Sequence, residues 1–143
     1  MTEDINPSKQ ILIFIAVVLG MTILLAVISM FLKVSTLGVN VVIPLIAAMI
    51  AGQGFVKKYG RAPTKDEAKR LTILSFFFFV GLQFLFLIIA IANPAAKALF
   101  AQMNSQILSL ILIFVVFFFG ISFFMIRWGY GGMTRKFADR LNK

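Results

Sequence analysis

Four stretches of this sequence contain no charged side chain: residues 10–32 and 34–56, with 23 residues each, 71–96 with 26, and 98–126 with 29. A helix rises about 1.5 Å per residue, so a hydrocarbon layer of about 30 Å takes roughly 20 residues to cross. In lipid every backbone polar group must also be satisfied inside the segment. All four runs reach that length. The composition, 61% hydrophobic and 13% charged, and the mean hydropathy of +1.01 give more apolar surface than one soluble core can hide. The expected fold is an all-α polytopic membrane protein, a single membrane domain over residues 1–143 with four transmembrane helices.

The last two runs are longer than a span requires, and Asn93, Pro94, Lys97, Gln102, Asn104, Ser105 and Gln106 fall in the surplus. The spans are therefore expected at about 10–32, 39–57, 71–92 and 107–126, with a polar connection before the last and a tail over 127–143. Lysine and arginine accumulate on the cytoplasmic side of short loops. The N-terminal tail carries Lys9, the middle loop Lys57, Lys58, Arg61, Lys65, Lys69 and Arg70, and the tail Arg127, Arg135, Lys136, Arg140 and Lys143, whereas the other two loops have only Lys33 and Lys97. Both termini are thus expected in the cytoplasm. The first run reads as a span and not a signal peptide: Glu3 and Asp4 precede it, it is long for a signal core, and no A-x-A-like site follows.

Local signals mark the helix ends. Asn6 before Pro7 reads as an N-cap opening the first helix. Thr64 and Glu67 have the spacing of a capping box, which starts the third helix a turn or two before the membrane. Gly60 suits a left-handed stop for the second helix, and Pro63 keeps it from continuing. Pro44 either lies in the first turns of the second helix or kinks it mildly if the helix begins nearer Val39. In the tail, Met133, Phe137 and Leu141 recur every four residues among charges, the pattern of a short amphipathic interfacial helix. Trp128 and Tyr130 would mark the interface, and Gly129, Gly131 and Gly132 would let the chain turn flat.

Apolar burial between helices gains nothing in lipid, so small residues and interhelical hydrogen bonds decide which faces meet. Ala47, Ala48, Ala51 and Gly52 make the second helix the packing helix, with two small-xxx-small pairs. The third and fourth spans are loaded with Phe, which reads as hydrophobic filler facing lipid or another subunit. Gln53 and Gln83 are the intramembrane amides. Gln53 is four residues from Lys57 and within reach of the interface, whereas Gln83 lies near mid-bilayer, where an unpaired amide costs several kcal/mol. Its partner would be Thr22, Ser109 or a second copy of the chain.

The chain has no Cys and no His, which removes thiol nucleophiles, imidazole ligands and the usual general base near neutral pH. All five carboxylates, Glu3, Asp4, Asp66, Glu67 and Asp139, lie outside the spans. A proton-coupled carrier normally needs a buried acid or His as its relay. The helix-1 Glu of the small multidrug exporters has no counterpart here. No catalytic residue, metal site or cofactor is expected, and the chain reads as a non-enzyme. Lys57, Lys58, Arg61, Lys69, Arg70, Arg127, Arg135 and Lys136 are candidates for binding anionic headgroups on the cytoplasmic side, or a partner. Nucleic-acid binding is not expected, since no soluble domain presents these charges.

The segment Phe55-Val56-Lys57-Lys58-Tyr59-Gly60-Arg61-Ala62-Pro63-Thr64, followed by Glu67, resembles the ABZJ-type family of short four-span bacterial inner-membrane proteins. That family shares a Phe-x4-Gly-Arg-x-Pro-Thr turn between spans 2 and 3 and a Gly-rich basic tail. The resemblance implies a multi-pass inner-membrane location and no assigned activity. The expected function is binding of a partner within or beside the bilayer, as an immunity protein or as an accessory protein stabilising a larger complex, with Ala48 and Gly52 on the binding face. The alternative is a small oligomeric channel or carrier for a neutral or apolar solute, with its pathway around Gln83.

Overall fold

The computed structural model describes residues 7–32 and 39–141, all of them in helices or short connections. The cap at Asn6, the acids Glu3 and Asp4, the loop with Lys33, and Lys143 lie outside the described residues. Four long helices alternate in direction: α1 (Ser8–Leu32), α2 (Val39–Tyr59), α3 (Lys65–Ala92) and, after the short α4 (Pro94–Ala101), α5 (Ser105–Trp128). Among the described residues, three segments are long and apolar enough to cross a membrane: Ser8–Ser29, Lys65–Ala92 and Ser105–Leu141.

The connections follow from local chemistry. Gly60 takes φ +66, which a residue with a side chain adopts only at a cost, and its N–H donates to the Val56 carbonyl at 2.8 Å, ending α2. Thr64 then caps α3: the Glu67 N–H donates to the Thr64 hydroxyl at 3.3 Å, while the Thr64 N–H donates to the Glu67 carboxylate at 2.7 Å. Asn93 and Asn104 cap α4 and α5 by accepting from the N–H groups of Ala95 (3.0 Å) and Ile107 (2.9 Å). α2 begins at Val39, so Pro44 lies inside it and removes one hydrogen bond from its second turn.

After α5 the helix does not turn away. A π-helical turn, Gly129–Met133, leads straight into α6 (Thr134–Leu141), and the whole of Ser105–Leu141 runs as one rod. The three glycines expected to lay the tail flat widen the helix instead. Gly129 keeps right-handed helical angles, φ −57 and ψ −53, and the Thr134 hydroxyl donates across the turn to the Gly129 carbonyl at 2.7 Å.

The core occupies one end of the bundle, where α1 and α3 begin and where α2 and α6 end. We call this the basic end. Phe14 and Val18 of α1, Ile43 to Phe55 of α2, Leu71 and Phe79 of α3, and Ile126 with Tyr130 of the α5 rod close on one another there. Toward α4 the helices lose contact, and α4 itself has no buried residue.

Candidate functional site

At the centre of the basic end, the small residues of α2 receive the π-turn. Ala47, Ala48 and Ala51 are fully buried. Gly129 lies against the next turn so closely that a Cβ built on it would stand 2.6 Å from the Ala48 Cβ and 3.3 Å from the backbone of Leu45 and Met49. One turn further, Gly52 faces Thr134, whose hydroxyl would collide with any Cβ added there. The stripe that the sequence offers to a partner is therefore closed by the chain's own π-turn and α6. Small-xxx-small spacing marks close approach of some helix, and here that helix is internal.

Tyr130 also departs from its expected place. It is fully buried rather than at an interface, with its ring 6.5 Å from that of Phe14 and its hydroxyl sharing a 2.9 Å hydrogen bond with Ser75 of α3. A buried phenol needs such a partner, and Ser75, isolated in an apolar run, supplies it. Trp128 stays half exposed. Gln10, at the start of α1, is also buried, and its side-chain oxygen has no hydrogen-bond partner among the described residues.

The candidate cations surround this core. Arg61 binds Glu67 in a two-pronged pair, both contacts at 2.8 Å, and lies 5.7 Å from the centre of the Phe55 ring. Glu67 sits in the polar first turn of α3, ahead of the apolar run that starts at Leu71. The Arg61 hydrogen bonds, and then those from Thr64, hold its carboxyl below the usual value despite partial desolvation. Arg61 thus ties the α2–α3 turn to the first turn of α3. Lys58 reaches the hydroxyl of Tyr59 at 2.9 Å. Lys57, Lys69, Arg70, Arg127, Arg135 and Lys136 are exposed, and Arg61–Glu67 is the one ion pair among the described residues.

α6 packs alongside the end of α2, and between them lies a cleft of about 150 Å³ lined by Met49, Gln53, Met133, Thr134, Lys136, Phe137 and Arg140. This brings Gln53 and Lys136 together and adds Arg140, which sequence reasoning passed over. No sequence signal sets the register between α2 and α6 directly. The pairing of Gly52 with a hydroxyl residue just beyond three glycines is the nearest hint.

Gln83 is partly buried on α3, and no hydrogen bond joins it to another described residue. The hydroxyls proposed for it are engaged with their own helices: Thr22 donates to Val18 at 2.8 Å and Ser109 to Ser105 at 2.9 Å. Around it the outer halves of α3 and α5 are open. Phe84, Leu112, Phe114 and Phe117 are each more than half exposed; a separate apolar trough of about 770 Å³ runs along the other half of α5, from Val116 to Trp128.

These features define an all-helical protein of the membrane class, with a packed basic end and an open apolar end. Comparison with protein-family models, curated proteins and solved structures yields no match.

Proposed function

We propose that the chain is a four-span protein of the bacterial inner membrane, with both termini in the cytoplasm, that works by binding a membrane partner as an immunity or accessory protein. α2 serves as the remaining span: its 21 residues carry no charge before Lys57, long enough to cross a layer of about 30 Å. The excess of cations at the basic end supports the orientation, and the resemblance of the turn around Gly60-Arg61 to ABZJ-type proteins supports the location. One observation carries the functional reading. The outer halves of α3 and α5 offer a continuous apolar surface that the chain does not cover itself, while its small-residue stripe is already used. The binding face is therefore the open end, around Phe84 and Leu112, and not Ala48 and Gly52. The test is a detergent-solubilised purification from native membranes. A single stoichiometric partner, retained by wild type and lost on Leu112→Arg but not on Leu12→Arg, supports the reading. Loss on both or on neither counts against it.

The unpaired amide of Gln83 favours the second reading, an oligomeric channel or carrier for a neutral or apolar solute, since an amide facing lipid gains from a second copy of itself. Reconstituted vesicles separate the two readings. Solute flux that vanishes in Gln83→Leu supports transport, and a sealed vesicle supports partner binding.

A further inference from the structure

We infer that the cleft between α2 and α6 is a binding site for the phosphate-bearing headgroup of an anionic phospholipid. The inference rests on the membrane reading above and goes beyond it by naming a site and a ligand.

Three observations support it. First, the cleft has a polarity gradient along its length. Ala48 faces Gly129 and Gly52 faces Thr134, so α2 and the α5–α6 rod run parallel here. Met49 and Met133 then lie toward the apolar middle of the bundle, Gln53, Lys136 and Phe137 follow at about one level, and Arg140 lies furthest toward the basic end. A phospholipid has the same order, with hydrocarbon and glycerol below and phosphate above. Second, its donors are unspent. Lys136 and Arg140 stand one helical turn apart and form no ion pair among the described residues, and Gln53 makes no hydrogen bond there either. The Thr134 hydroxyl is already committed to Gly129. Third, no carboxylate lines the cleft. Asp139 is on the same helix but outside the lining, so the site selects for negative charge. At about 150 Å³ it has room for a phosphate and part of a glycerol, while the acyl chains would lie along the apolar sides of α2 and α5.

Arg and Lys on a fixed helix face, with an amide donor opposite, match the acceptor oxygens of a phosphate. An interfacial cation contributes about 1 kcal/mol to anionic-lipid binding, so removing both should weaken retention about thirty-fold. A diffuse surface potential would depend on the number of charges and not on their position.

The experiment is native mass spectrometry of the full chain released from nanodiscs of phosphatidylcholine with one-fifth phosphatidylglycerol. Wild type should retain one phosphatidylglycerol in preference to phosphatidylcholine. Lys136→Gln with Arg140→Gln should cut that retention about thirty-fold, and Gln53→Leu several-fold. Lys9→Gln with Lys65→Gln, which removes the same charge elsewhere at the basic end, should leave it within two-fold. Equal losses in the two double variants would overturn the inference in favour of a general basic surface. Displacement of the lipid by soluble glycerol phosphate at similar concentration would show a free-anion site and overturn the assignment to lipid. Flotation of the protein with vesicles is scored separately: failure to float counts against the membrane reading, whereas flotation without selective retention counts against this site alone.

Discussion

Phe79 and Phe114 both sit in uncharged helical runs, yet Phe79 is 2% exposed and Phe114 is 68% exposed. The difference lies in what stands beside them. At the basic end, α2 presents Ala47, Ala48, Ala51 and Gly52, and the α5 rod meets them with Gly129. Backbones approach closely there, and large rings from α1 and α3 fill the remaining space. Phe76 meets Phe123 edge-on at 5.3 Å, and Phe79 lies 6.3 Å from Phe118. Beyond that layer α3 and α5 carry Phe, Leu and Ile on most sides, and a small residue there, Gly81, has nothing from another helix within 4 Å of where its Cβ would stand. Lipid is as apolar as they are, so nothing drives that end to close. The contrast teaches that this bundle is held by glycine, alanine and a few hydroxyls, and that its many aromatic residues mostly follow.

The largest test sets glycine against glycine. Gly129→Val places a branched side chain against the Ala48 Cβ and the backbone of Leu45 and Met49, none of which can rotate away. Overpacking of this kind costs about 3 kcal/mol, and the protein should unfold at markedly lower denaturant in micelles. Gly120→Val, with open space around it, should change stability by less than about 1 kcal/mol, since only helix propensity differs. Equal effects at the two sites would mean that the close approach of Gly129 to Ala48 does not restrict what can stand there.

The next test addresses the hydrogen bond that joins α3 to the α5 rod in the core, between Ser75 and Tyr130. Ser75→Ala leaves the buried Tyr130 hydroxyl without a partner and should cost about 2 kcal/mol. Tyr130→Phe removes the hydroxyl itself, leaving a serine that can turn to its own helix, and should cost about 1 kcal/mol. The double variant should be less destabilised than the sum of the two, because one bond is lost in each case. Strict additivity in equilibrium unfolding would show that the 2.9 Å contact contributes nothing.

The same contrast explains what could be read from the sequence. Helix lengths and the α2–α3 turn were legible because their signals are local: uncharged runs bounded by cations, Gly60 followed by Pro63, and Thr64 three residues before Glu67. The small residues of α2 announced close packing but not with what. Finding Gly129 opposite Ala48 needs the register of two helices some eighty residues apart, which no local pattern encodes. The three glycines after Trp128 read as a bend for the same reason. Glycine permits a bend, a π-turn or a close approach, and only the neighbour across the gap decides. Tyr130 looked like an interface marker because a phenol beside a Trp often is one, and its partner Ser75 is far away in sequence.

The smallest effect separates the turn from the core it borders. Glu67→Gln keeps the reach back to the Thr64 N–H but loses the charge that Arg61 grips at 2.8 Å. Arg61 is about half exposed, so solvent screens the pair and the variant should cost only about 0.5 kcal/mol near neutral pH. The sign with pH follows from linkage. The Glu67 carboxyl titrates below its ordinary 4.5 in the folded protein, chiefly because of Arg61. The folded state therefore holds this proton less tightly than the unfolded chain does, and the pair's contribution is complete above pH 4.5 and lost as pH falls through the lowered value. Thermal unfolding midpoints of wild type and Glu67→Gln should converge on acidification, while Ser75→Ala, which involves no charge, should stay offset by the same amount throughout. Curves for Glu67→Gln that remain parallel to wild type down to pH 3 would show that the ion pair leaves the turn no more stable than the capping box alone makes it.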